Sequence, residues 1–188
     1  MTKNELLKEL SATLFKAKVQ KLADLAQSDD LSVAHLMELS FYPRKEIAFR
    51  ASWVLEHLEL NAVNKFLTHL ENFIERYPEQ NNKSCQRHFT KIMMRITDKK
   101  APDLYKLELK DYDFDTVVNT TFEWLINPKT PIAVRVNCME ILYNLHQKFD
   151  WIREELEQQI VFSLRDGGPA VQSRGKKLLC LMVNGISR

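Results

Sequence analysis

The chain has 188 residues, 45% apolar and 28% charged, which fits one globular domain and excludes a disordered tract or a miniprotein held by disulfides. Its 27 basic and 25 acidic residues leave a net charge of +2, with 13 basic and 12 acidic residues in 1–94, so neither a basic nucleic-acid-tracking domain nor an acidic tail stands out. Glycine occurs only 4 times, where ~7% is usual, which argues against a turn-rich β fold and against a glycine-rich loop that cradles phosphates.

The apolar spacing is helical along the whole chain. Residues 3–27 open with a charged, amphipathic stretch, read as one or two helices and not as an export signal. Helices are expected in pairs: 31–41 with 44–60, 62–77 with 82–97, 114–126 with 131–147, and 150–165 with 169–184. Ile47, Ala51, Val54, Leu55 and Leu58 form the stripe of the first pair's second helix. Val63, Phe66, Leu67, Leu70, Phe73, Ile74 and Tyr77 form one continuous stripe over 62–77. Residues 98–112 carry Pro102 and many charges and are expected as a loop with at most a short helical turn. The segment 131–147 is apolar nearly all round, which predicts a helix covered on most sides. Pro43, Pro78, Pro128, Pro131 and Gly167-Gly168-Pro169 punctuate these elements, because proline resists continuing one helix but is tolerated at the start of the next. Asp115 and Asp150 are the expected N-caps of the helices they precede.

The second helix of each pair carries an arginine at nearly the same place: Arg50, Arg87, Arg135 and Arg174, spaced 37, 48 and 39 residues apart, with the long 98–112 connection inside the 48. A period near 40 with two helices per unit marks an α-solenoid. The stretch Ala48-Phe49-Arg50-Ala51-Ser52-Trp53-Val54-Leu55-Glu56 after Pro43 resembles a HEAT repeat, as do Pro131-Ile132-Ala133-Val134-Arg135 with Ile141-Leu142 and Pro169-Ala170-Val171 with Arg174. The resemblance implies an all-α fold, a right-handed α-α superhelix of about four helical hairpins plus N-terminal helices. It implies a single domain over 1–188, with capping helices in 3–28, hairpins in 30–60, 61–97, 113–148 and 150–185, and an inserted loop at 98–112. It also implies a structural role for the four arginines, each bridging to an acidic group or a carbonyl of a neighbouring unit.

Sequence signals for chemistry are incomplete. Asp111, Asp113 and Asp115 alternate like the start of a calcium loop, but Thr116 and Phe122 stand where that motif needs glycine and glutamate. Cys85 and His88 share a helix face without the further ligands zinc requires. No hydrolase, phosphate-loop or dinucleotide motif occurs. The expectation is therefore a protein without catalytic residues, metal or cofactor. Cys85, Cys138 and Cys180 are odd in number and far apart, which predicts buried, reduced thiols in the cytosol. Trp124 and Trp151 are expected in the core, whereas Trp53 lies off the main stripe beside Arg50.

With the core placed one, four, five and eight residues after each arginine, the opposite face holds Ser52, Glu56, Glu59, Asn137, Asn144, Lys148 and Lys176, joined by Trp53. This face is expected to bind a protein partner of mixed charge, as in a scaffold or adaptor. The alternative is a nucleic-acid binder similar to the HEAT-like DNA alkylation-repair glycosylases. Trp53 with Arg50 favours that alternative, and the Glu56/Glu59 stripe opposes it.

Overall fold

In the computed structural model, which describes residues 1–12, 16–28 and 31–184, the apolar stripes become twelve α-helices, and the described residues contain no strand. They fall into two compact units, Met1–Ile92 and Met93–Arg188.

The first unit begins with two helices, α1 (Lys3–Ser11) and α2 (Lys16–Gln27), where one or two were expected in 3–27. Helix α1 starts in a capping box: Thr2 Oγ1 accepts from the Glu5 amide at 3.3 Å, and Glu5 Oε2 accepts from the Thr2 amide at 2.7 Å. Next come α3 (Val33–Leu39) and α4 (Lys45–Asn61). Helix α4 is the hub of the unit and packs against α1, α2 and α3. Its stripe Ile47, Ala51, Val54, Leu55 and Leu58 is buried to 2% exposure or less, because a single helical hairpin cannot cover its own apolar face.

The expected helix over 62–77 is two helices, α5 (Val63–Leu67) and α6 (Leu70–Arg76), followed by a 3-10 turn at Tyr77–Glu79. The break has a local cause. The Thr68 hydroxyl donates to the Lys65 carbonyl at 3.1 Å, and His69 leaves the helical region at φ −119°. Phe66, Leu70, Phe73, Ile74 and Tyr77 still bury on one side, so the stripe survives the interruption. Helix α7 (Lys83–Ile96) holds the boundary between the units.

In the second unit, the expected loop 98–112 contains a short helix, α8 (Asp103–Glu108), anchored by buried Tyr105. Then come α9 (Asp115–Ile126), α10 (Ile132–Leu145), α11 (Asp150–Asp166) and α12 (Pro169–Asn184). Here α10 is the hub, packing against α9, α11 and α12. Its cover is incomplete at the start, where Ile132 is 52% exposed. Asp115 is the first residue of α9 rather than its cap; the Asp113 carboxylate accepts from the Asp115 amide at 2.8 Å instead. The expected Asp150 cap falls on a side chain outside the described residues, as do the hairpin limits at 30 and 185. Trp124 is buried, but Trp151 is 51% exposed and stacks on Phe122. Cys85 and Cys138 are buried, whereas Cys180 is exposed, a departure from the expected burial of all three thiols.

Gly167 ends α11 with extended backbone (φ −71°, ψ 133°), so its requirement for glycine is one of space. A Cβ there would lie 2.4 Å from the Ser163 carbonyl oxygen and 2.6 Å from Val171. At Gly168 nothing lies within 4 Å of that position. Gly167→Ala should therefore lower stability by ~1–3 kcal/mol, as overpacking does, and Gly168→Ala should sit near wild type; urea unfolding midpoints compare the two.

Candidate partner-binding surface

Phe49, Trp53 and Glu56 recur along α4 at three- and four-residue steps, and Ser84, His88 and Lys91 do the same along α7. The two rows meet. The Phe49 ring lies 5.1 Å from the His88 ring and 6.2 Å from Trp53. Beside them an open groove of about 520 Å³ is lined by Lys45, Glu46, Phe49, Arg50, Trp53, Asn82 and Ser84. Trp53 and Phe49 are half-buried, so each offers an apolar surface while staying anchored. Of these residues, the sequence singled out Arg50 and Trp53. Asn82 and Ser84 were missed because they flank the start of the neighbouring second helix, and only packing brings them to α4.

At the far end of this row Glu56 is held from two sides. His88 Nδ1 hydrogen-bonds its Oε2, and Lys91 Nζ lies 3.0 Å from its Oε1. Burial pushes the Glu56 carboxyl up, but the hydrogen bonds from His88 and Lys91, with their charges, outweigh that and carry it down to about 2. Glu56 is thus a neutralised structural anion, not an open acidic contact. Two other expected contacts are buried outright. Ser52 is 0% exposed and donates to the Ala48 carbonyl, and Glu59 is 3% exposed. The assumed register misplaced them because α4 is covered on three sides, so positions two and nine after Arg50 also meet neighbours.

In the second unit Asn144 holds the end of α7 and Lys148 holds the chain's own insertion. Asn144 Nδ2 donates to the Met94 carbonyl at 3.1 Å and to Thr97 Oγ1 at 3.2 Å. Lys148 Nζ donates to the carbonyls of Leu109 and Lys110 at 2.8 and 3.0 Å. Asn137 is half-buried, and Lys176 is exposed on α12.

The arginines divide. Arg50 Nη1 donates to the Leu10 and Ser11 carbonyls at the end of α1, at 2.8 and 3.1 Å. Arg135 Nε donates to the Leu125 carbonyl in the last turn of α9 at 3.0 Å, and its Nη2 reaches Ser163 Oγ on α11 at 3.4 Å. Arg174 pairs with Glu140 of α10. Arg87 is exposed.

The described residues contain no group of three or more His, Cys, Asp or Glu side chains placed to hold a metal ion. Burial pushes the Cys85 thiol up to about 11, and the Cys138 thiol is raised for the same reason, so both stay protonated at neutral pH.

Two measurements check these roles. Arg135→Ala leaves a helix-end carbonyl without its donor and should cost ~1–3 kcal/mol, while Arg87→Ala should stay within ~0.5 kcal/mol of wild type; urea unfolding reads both. Glu56 has a folded pKa below its unfolded value near ~4.3, so its contribution is fully present above that pH and is lost as pH falls toward 2. The stability gap between wild type and Glu56→Gln should accordingly be largest at neutral pH and close on acidification from pH 5 to 2.

Compared with known proteins, the chain matches the family model for the HEAT repeat domain over residues 6–182. No curated protein and no solved structure matches it. With paired helices, a recurring arginine and a family match that spans both compact units, the chain belongs to the HEAT repeat domain family.

Proposed function

We propose that the protein is a non-enzymatic scaffold that holds a protein partner on the exposed face of its second helices, with the groove beside Phe49 and Trp53 as the principal contact. The observation that carries this reading is the pairing of anchored aromatic surface with mixed polar groups. Lys45, Glu46, Asn82 and Ser84 frame Phe49 and Trp53, which is the make-up of a protein-recognition patch rather than of a reaction centre. Family membership supports it, since helical repeats present extended surfaces built from stacked units. The reading takes 1–188 as one repeat domain, supported by a family match that covers both units. It places the protein in the cytosol, in keeping with its free cysteines, and has it work without metal or cofactor.

One observation favours a second reading, nucleic-acid binding. Glu59 is buried and Glu56 is neutralised, so the acidic stripe that opposed it is gone, leaving Lys45 and Arg50 with one acid, Glu46, beside Trp53. The Arg50 guanidinium is spent on the α1 carbonyls, which weighs the balance back toward protein.

A photo-crosslinking residue at Ser84, which lines the groove and is exposed, separates the two readings in cells. The expected adducts are digested by protease, resist nuclease and fall at least about fivefold when Trp53→Ala is added, in line with loss of an interface aromatic. Adducts that nuclease removes would install the second reading. No adduct at all would remove the groove from the interface.

A further inference from the structure

The second unit carries another recess, built by the insertion that the sequence presented as a loop. It measures about 410 Å³ and lies where α8 and its flanks fold back against the ends of α7 and α10. Lys99, Lys106, Lys110 and Lys148 line it over a floor that includes Ile96, Leu109, Phe114 and Leu145.

Its charge is one-sided. Among the described lining residues Asp98 is the only carboxylate, and its Oδ1 accepts from the Lys100 amide at 2.7 Å. Lys106 reaches Asp103 at 3.0 Å, but that carboxylate is 97% exposed and well screened. Lys148 donates to two carbonyls, which occupy its hydrogens without cancelling its charge. All four lysines are exposed, so their pull on an anion is screened by salt and acts at short range. Ile96, Leu109, Phe114 and Leu145 are nearly buried, so the apolar contact on offer is narrow, and an occupant must bring carboxylates to the lysines and no more than one apolar side chain to the recess.

From this we infer that the insertion recess is a docking site for an acidic peptide segment of a partner protein, one that presents Asp or Glu residues around a single apolar side chain. A nucleic acid fits poorly. Phe114 is only 2% exposed and Lys148 Nζ sits 5.0 Å from its ring centroid, so no aromatic face is open for a base. A flat bilayer surface would meet the lysine heads but leave the recessed floor unused. The site lies wholly within the second unit and does not depend on the Trp53 groove.

The test is selection from a random dodecapeptide display library on the full chain, with the Lys106→Glu/Lys110→Glu double variant as counter-target. Both lysines are outside the core, and circular dichroism melting verifies that the double variant folds. The selected peptides should be enriched in Asp and Glu around one aliphatic or aromatic residue. By fluorescence anisotropy they should bind about tenfold more weakly to the double variant, and they should weaken with added salt. Trp53→Ala should leave their affinity unchanged, which separates this site from the groove on α4. Lack of acidic enrichment, or peptides indifferent to the charge reversal, would overturn the proposal. So would phosphatidylserine vesicles or a single-stranded oligonucleotide binding through the same lysines more tightly than the selected peptides.

Discussion

Carbonyl groups at helix C-termini are the constraint on which this structure turns. Each α-helix leaves its last carbonyls without intrahelical donors. A common remedy is a left-handed glycine just past the helix, whose own amides turn back to the free carbonyls. A chain with four glycines has little access to it, and none of the three described glycines has a positive φ. The donors come instead from side chains of other elements. Arg50 serves α1, Gln80 serves Ser40 after α3, and Asn144 serves α7. Lys148 serves the end of α8, Arg135 serves α9, Gln172 serves α11, and Arg153 serves Met182 in α12.

This device does two jobs with one group. A glycine cap satisfies a helix end locally and says nothing about what packs beside it. A long donor reaching across to another helix satisfies the carbonyl only when the two helices are in the right place, so termination and packing become one condition. Cations at these positions also meet the negative end of the helix dipole. Arg50 and Arg135 sit on α4 and α10, the hub helices of the two units, so the most central helices also hold the ends of α1 and α9. The stem of an arginine covers apolar surface on the way, which a short amide could not do over the same distance.

Much of the architecture was legible because helical periodicity and proline punctuation are local signals. The hub stripe of α4 and the pairing of α9 with α10 follow directly from residue spacing, and the repeating arginines give the period. What was not legible depends on contacts between elements distant in sequence. The Thr68–His69 break leaves the apolar stripe intact, so periodicity cannot reveal it. Ser52 and Glu59 look exposed on a helix wheel with one buried side, but α4 has neighbours on several sides. Of the expected contact residues, Trp53 alone combines an apolar ring with an open groove, and its position off the main stripe was the signal.

Charge shows the same division between what totals reveal and what folding decides. A net charge of +2, evenly divided along the chain, describes neither groove. Folding pairs Glu56 with His88 and Lys91, and Glu140 with Arg174, which removes these acids from the set of free surface charges. It also lays the insertion so that four lysines line one recess, with a single carboxylate among its described lining residues. Each of those pairs takes a cation out of play with its anion, so the local excess at the recess comes from where the lysines are placed and not from the pairs. Balanced composition and a locally basic recess are compatible because a total says nothing about placement: Lys99, Lys106 and Lys110 come from the insertion and Lys148 from beyond α10, and folding brings them to one lining.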